Sequence, residues 1–338
     1  LHFSSLPRHF DGGMGCGAST AQVPPRQLVL LGGGECGKTT IFKQIQLLHG
    51  SGFSDEVRSD WVSAVSASPL RSMRVLLTKA DELGLPVNEA FKEAILGSYQ
   101  SLSQLTEEAA GRIKEVYKSP EIQGLIKDKE QKLDLDDNAF YFLDKVEEMG
   151  KSNFLPSTED ILKVRDPTRT IETLDFQYGK AKFRVIDVGG QRMERPKWNL
   201  TGEITAVIFV CALTEYNQVL REDIKQNRLK ESLNLFDIAC NRRYPDKPIL
   251  LFLNKKDLFA KKITDTDLKV CFPTYKGGCD YDAALEYIKW KFMNVRKDKS
   301  KQIYVMETTA TDTKNMEFII KSMVDIVEKQ NLAQSGFS

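Results

Sequence analysis

The sequence lacks any apolar run long enough to cross a bilayer. The longest, Ile204–Leu213 and Ile249–Leu253, fall well short of the ~20 residues a spanning helix needs, and they predict buried strands. It also lacks an excess of charge of either sign. Forty-eight Lys and Arg stand against 47 Asp and Glu, a formal +1, so nucleic acid is not expected as a main partner. No Cys-x-x-Cys pair occurs among the six cysteines, Cys16, Cys36, Cys211, Cys240, Cys271 and Cys279. A reducing, intracellular setting follows more naturally than a disulfide or zinc framework. Repeats and low-complexity stretches are missing too. What remains is ordinary globular composition: 41% apolar and 28% charged residues exclude a mostly disordered chain. At ~100–200 residues per domain, the 338 residues suggest two domains.

The apolar run Leu28-Val29-Leu30-Leu31 stops at Gly32-Gly33-Gly34-Glu35-Cys36-Gly37-Lys38-Thr39-Thr40, and Ile41, Ile45 and Leu48 then recur at helical spacing. From about Phe53 to Arg165 the period is helical throughout. Leu70, Met73 and Leu77 share a face, as do Phe91, Ile95, Tyr99 and Leu102, and then Ala139, Phe142, Leu143 and Val146. Pro69 falls inside the first stretch, where a proline is expected to end or kink a helix. After Arg165, strands are predicted at Phe183–Asp187, Thr205–Ala212, Ile249–Asn254 and Ile303–Met306. Helices are predicted at Lys225–Phe236, Ala283–Phe292 and Glu317–Lys329. Alternation of this kind implies an α/β fold with a mostly parallel sheet covered on both faces. An all-α insert of roughly 110 residues interrupts it. The expected domains are an N-terminal segment at 1–26, an α/β domain at 27–52 and 162–338, and a helical domain at 53–161.

The opening Leu1–Gly13 carries no Met, and Met14-Gly15-Cys16-Gly17-Ala18-Ser19 follows. Translation is expected to start at Met14, which would expose Gly15 in a myristoylation pattern. Cys16 would supply a second, reversible acyl site, needed because one myristoyl chain anchors only marginally.

Three signals carry chemistry. In the glycine-rich loop, successive N–H groups of Gly33–Thr39 can wrap a phosphate. Lys38 would reach the β- and γ-phosphates and the Thr39 hydroxyl would ligate Mg²⁺. A glycine-rich turn with a chance Gly-Lys-Thr is the bland alternative, and the strand–loop–helix context argues against it. In Asp187-Val188-Gly189-Gly190-Gln191, an Asp ending a buried strand can hold Mg²⁺ through water. There the Gly190 N–H can meet the γ-phosphate and Gln191 can orient an attacking water. Alone, this pattern would pass for a strand-end turn; it gains weight beside the first. In Asn254-Lys255-Lys256-Asp257, one carboxylate can accept both guanine N1–H and the 2-amino group, whereas adenine would leave a mismatch. The Lys255 stem can cover a purine face, and Asn254 can tie this loop to the phosphate loop. Thr309-Ala310-Thr311 follows another strand and could present the Ala310 N–H to guanine O6.

The ordered set GGGECGKTT, RDPT, DVGGQRMERPKW, NKKD and TTATDT resembles the α subunit of heterotrimeric G proteins across residues 27–338. The resemblance implies a Ras-like P-loop GTPase domain interrupted by a helical domain, binding GTP or GDP with Mg²⁺ and hydrolysing GTP slowly. It assigns catalysis to Gln191, Arg165, Thr168 and Lys38. Nucleotide contacts fall to Gly33, Gly34, Glu35, Cys36, Gly37, Lys38, Thr39, Thr40, Arg165, Gly190, Asn254, Lys255, Asp257, Thr309, Ala310 and Thr311. Metal contacts fall to Thr39, Thr168 and, through water, Asp187; lipids fall to Gly15 and Cys16. Glu35 matches the acidic partner of the catalytic arginine. Implied partners are a membrane receptor acting as exchange factor, effectors, GTPase-accelerating proteins and a lipid-anchored place on the cytoplasmic face of the plasma membrane. No nucleic acid is implied.

The sequence departs from the family at several points. Arg169 replaces a second threonine, Cys36 replaces a serine, and Pro196 predicts a switch II helix that starts late or bends. Between the acylation motif and the first strand there is no long amphipathic helix of the kind that docks a βγ dimer. Binding of βγ is therefore left open, resting on Arg192, Glu194 and Trp198. The competing function is a GTP-bound scaffold with little or no hydrolysis; a P-loop ATPase would need a different base-reading loop.

Overall fold

The computed structural model describes residues 24–97, 99, 103–129, 133–166, 170–198 and 203–334. Six strands form the main sheet in the order β2-β3-β1-β4-β7-β8. They are β1 (Arg26–Gly32), β2 (Glu172–Tyr178), β3 (Ala181–Asp187), β4 (Ile204–Ala212), β7 (Ile249–Asn254) and β8 (Ile303–Thr308). Every neighbouring pair is parallel except β2 with β3. The central strands are apolar on both faces, which is why they read as unbroken hydrophobic runs. Val29, Leu31, Val207, Phe209, Leu251 and Leu253 pack to one side. Helices α10 (Arg228–Ile238), α11 (Lys256–Ile263) and α12 (Tyr281–Val295) supply Phe236, Phe259 and Phe292 to that core. Leu28, Leu30, Ile208, Leu250 and Phe252 pack to the other side. There α1 (Lys38–His49) and α13 (Thr313–Gln334) bring Ile41, Ile45, Ile320 and Val324.

Between α1 and β2 the chain is helical: α2 (Asp55–Asp60), α3 (Val62–Glu82), α4 (Glu89–Leu96), α5 (Glu107–Tyr117), α6 (Pro120–Lys129), α7 (Ala139–Asp144), α8 (Val146–Met149) and α9 (Thr158–Lys163). Met73, Leu76, Ile113, Phe142 and Leu143 sit in a third core, separate from the two on the sheet. The architecture is therefore α/β, with a mostly parallel sheet and a helical insert. Among the described residues no helix is long and apolar enough to cross a membrane. The described cysteines are all free thiols, and all but Cys279 are buried.

The structure corrects the sequence reading in four places. Pro69 does not end its helix; α3 runs through it, with the Ser72 hydroxyl donating to Ser68 O at 3.1 Å just beside it. The helix expected from Lys225 begins at Arg228 instead, because Asn227 caps it by accepting from the Lys230 N–H. Residues Asp223–Asn227 form β6, paired with β5 (Val219–Leu220) in a small hairpin. Strand β2 was not expected at all. It is an edge strand with a largely exposed, polar sequence, so it carries no apolar run. Finally, Arg192–Trp198 around Pro196 is a 3₁₀ turn, the tighter form that suits a chain lacking one N–H.

Candidate functional site

Strand β1 delivers the chain into a loop whose backbone only glycine-rich sequence permits. Gly32 has φ +141° and Gly37 has φ +104°; a Cβ would collide with Val210 O at the first and with the Asn254 amide at the second. Helix α1 starts at Lys38 with no side-chain cap on its N-terminus. Its first N–H groups and dipole therefore face the cavity lined by Gly34, Glu35, Gly37, Lys38, Thr39 and Thr40, a ready anion cradle. Lys38 is buried and folds back over the loop, donating to Gly32 O at 3.0 Å and Gly33 O at 2.6 Å. Gly33 and Cys36 do not line the cavity. Cys36 lies wholly buried behind the loop, where burial pushes its thiol pKa up and its Sγ donates to Gly33 O.

Parallel pairing of β1 with β3 brings the second motif alongside. Asp187, fully buried at the end of β3, accepts from the Thr39 hydroxyl at 3.0 Å. Gly190 presses against the loop so closely that a Cβ would meet Gly33 O and the Lys38 amine. Gln191 lines the same cavity, and a Cβ on Gly34 would come within 3.3 Å of its Cγ. The Trp198 indole donates to Gly189 O at 2.9 Å, pinning the turn from beneath.

At the far end of the cavity, β7 and β8 present the third motif. Asn254 donates to Cys36 O at 2.9 Å and accepts from the Thr308 hydroxyl and the Ala310 N–H, each at 3.0 Å. It thus ties the two loops together, as expected. The Ala310 N–H, expected to face a base oxygen, is instead directed at Asn254, so guanine O6 would have to share it. Asp257, Thr309, Ala310 and Thr311 line the cavity, and the Thr309 hydroxyl donates to Asp257 at 3.3 Å. Lys255 adopts φ 61° and its amine donates to Glu35 O at 2.7 Å while pairing with Asp137.

Arg165 closes the remaining side. It follows α9, pairs with Glu35 and reaches Asp136 at 2.8 Å, joining the helical insert to the loop. Sequence reasoning missed the surrounding network. Arg228 holds Glu35 at 2.8 Å and the buried Glu215 at 2.7 Å, and Arg221 reaches Asp134 at 3.1 Å. Asp136, Asp137, Arg221 and Arg228 all line the cavity. Nothing in their sequence neighbourhood marks them; only the folded chain brings them together. Burial opposes ionisation of Glu35, but Arg228, Arg165 and Arg221 outweigh it and hold its carboxyl below the usual range. Asp137 is likewise held down by Lys255 despite its burial. Thr168, Gly15 and Cys16 lie outside the described residues.

The family described as G-protein alpha subunit matches residues 18–327. The chain is 39% identical over 322 residues to the guanine nucleotide-binding protein alpha-2 subunit of Dictyostelium discoideum, covering 92% of this chain and 90% of that one. It is 38% identical over 317 residues to the alpha-7 subunit of Caenorhabditis elegans, with the same coverage. To the G(o) subunit alpha of the same worm it is 37% identical over 319 residues, again covering 92% and 90%. With that match spanning its three motifs and its helical insert, the chain belongs to the G-protein alpha subunit family.

Proposed function

We propose that this chain is a guanine-nucleotide-dependent switch in receptor signalling, which binds GTP and GDP with Mg²⁺ and slowly hydrolyses GTP. The observation that carries the reading is the convergence of Lys38, Thr39, Gly190, Gln191, Asp257 and Arg165 on one cavity. The N-terminus of α1 and Lys38 would bind the β- and γ-phosphates. Asp257 would read guanine N1–H and the 2-amino group, while the Lys255 stem covers a purine face. Gln191, beside Gly34, would orient the attacking water. Arg165 would place its guanidinium against the charge that develops on the γ-phosphate oxygens, with Glu35 and Asp136 setting its approach.

A divalent cation fits the donors present. Thr39 and Asp187 bring one hydroxyl and one carboxylate together, hard oxygen ligands of the kind Mg²⁺ takes alongside phosphates. Thr39 and Thr168 would hold it directly and Asp187 through water, and it would neutralise phosphate charge. The α/β part at 27–52 and 162–338 is the GTPase domain in this reading, and 53–161 a helical domain clasping the nucleotide. Acylation at Gly15 and Cys16 would hold the switch at the cytoplasmic face of the plasma membrane. A receptor would load it, and effectors and GTPase-accelerating proteins would read it. Of the three residues on which the sequence rests βγ binding, only the exposed Arg192 and the half-buried Glu194 offer a surface; Trp198 is buried beneath the turn, donating to Gly189 O, and a βγ dimer stays an open partner.

The test is single-turnover phosphate release from protein preloaded with GTP and Mg²⁺, beside Gln191→Leu and Arg165→Cys. Slow release that both variants reduce sharply supports the reading. Tight GTP binding without release in the parent would leave the scaffold in its place.

A further inference from the structure

Lys43 is a buried cation that the reading above does not use. It lies on α1 one turn beyond Thr39 and is only 3% exposed. Burial draws its amine down to about 8, against the pull of Asp166, Glu172 and Asp187. Among the described residues no carboxylate stands within ion-pair distance of it. Its partners are of another kind. The amine donates to Ile161 O at 2.9 Å and Val164 O at 3.4 Å, and it sits 3.9 Å from the centre of the Trp61 ring.

Those two carbonyls belong to the C-terminal end of α9, where a helix leaves acceptors without partners inside itself. An ammonium there satisfies the acceptors and favours the negative end of the helix dipole. Helix α9 is fixed at its other end too: Ser157 and Asp160 form a reciprocal cap. The residue after Val164 is Arg165. The backbone that carries the arginine is therefore referenced, through one side chain, to the same helix whose N-terminus cradles the phosphates. Trp61 covers the ammonium from the α2–α3 junction and favours the cation through its ring face.

We propose that Lys43 is a positioning residue for Arg165, setting the reach of its guanidinium to the γ-phosphate by anchoring the end of α9 to α1. The inference rests on the GTPase reading. Misplacement of a catalytic group by an ångström costs on the order of 100-fold, so loss of this anchor has a defined signature.

The experiment measures single-turnover phosphate release and fluorescent GDP dissociation in the parent and in Lys43→Met, Lys43→Arg and Trp61→Leu. Lys43→Met is expected to slow release by about 10- to 100-fold while GDP dissociation changes by less than about twofold. Lys43→Arg, which keeps the donor and the charge, should recover most of the rate. In an Arg165→Cys background, adding Lys43→Met should slow release by no more than about twofold, because two residues acting through one contact are not additive. If Lys43→Met fails to fold, the half-buried Trp61→Leu carries the same comparison with a smaller loss. Additive losses in the double variant, or faster GDP dissociation with unchanged hydrolysis, would overturn the inference and leave Lys43 a tie between the helical insert and α1. A parent that binds GDP yet releases no phosphate would end the hydrolysis reading and this inference together. A parent that turns over beside an unchanged Lys43→Met ends the inference alone.

Discussion

Arg228 grips Glu35 from the sheet side, its Nη1 standing 2.8 Å from the carboxylate that Arg165 approaches from the helical side. The same guanidinium donates to Gly34 O at 2.8 Å and pairs with Glu215, whose other oxygen accepts from the Ser232 hydroxyl. One side chain thus fixes the phosphate loop, a wholly interior carboxylate and, through Glu35, the arginine assigned to catalysis.

Removing Arg228 should destabilise the fold as well as the site. Glu215 is 2% exposed, and breaking a buried pair from one side leaves an uncompensated charge that costs about 3–5 kcal/mol. Arg228→Met is expected to lower the thermal midpoint by several degrees and slow phosphate release. Replacing Glu215 with Gln in the same protein should recover part of the midpoint without restoring hydrolysis. Calorimetry and single-turnover assays on both variants check this; an unchanged midpoint in Arg228→Met would show the pair to be energetically neutral.

In the proposed reading Asp257, which lines the cavity beside Thr309, carries the choice of base. Its carboxylate can only accept, so it suits two guanine donors, whereas an amide at the same place presents one acceptor and one donor. Asp257→Asn is expected to weaken GTP binding by about 10- to 100-fold and to favour XTP, whose C2 carbonyl accepts from the amide. Competition of GTP, XTP and ATP against a fluorescent nucleotide measures the shift. Equal loss for all three would place base recognition elsewhere in the cavity.

The sequence made the parts of the site legible where chemistry is written in consecutive residues. The loop around Lys38, the turn at Gly190 and the Asn254 strand end each combine an apolar run with residues no core needs. The sheet was legible for the same reason: strands buried on both faces, such as Ile249–Asn254, cannot hide their hydrophobicity. Edge strand β2 and the β5–β6 hairpin bury little, and so left no pattern. Arg228, Arg221, Asp136 and Lys43 were invisible for a different reason. Each is an ordinary charged residue on a helix or loop, and its role comes from a partner up to 194 residues away.

Pro69 makes a prediction opposite to that of most core substitutions. It sits in the interior of α3 and cannot supply the N–H that Val65 O would accept, a defect worth about 3 kcal/mol in a helix. Pro69→Ala restores the bond but removes two buried methylenes, each worth about 0.8 kcal/mol. The balance is a gain of about 1 kcal/mol, read as a modest rise in thermal midpoint. A fall would mean that the ring's packing outweighs the missing hydrogen bond.

Acid should loosen the helical insert through Asp160. Its side chain is fully buried, and burial alone would raise its pKa. Lys145 at 2.7 Å, the Tyr141 hydroxyl at 2.7 Å and the Ser157 N–H at 2.8 Å outweigh that and hold it below the ordinary 3.8. A carboxyl with a lower pKa folded than unfolded gives a stabilisation that is complete above the unfolded value and fades as pH falls through the folded one. Stability from this cluster should therefore be level from neutrality down to about pH 5 and fall below about pH 4. Asp160→Asn removes the titrating group and leaves Lys145 without its buried partner. That variant should be less stable at pH 7, by about 3–5 kcal/mol if the pair behaves as buried ones do. Its disadvantage relative to the parent should shrink steadily below pH 4. Denaturant titrations of both proteins at pH 3, 5 and 7 separate the cases, and a stability difference that stays constant across that range would show that Asp160 does not govern acid sensitivity.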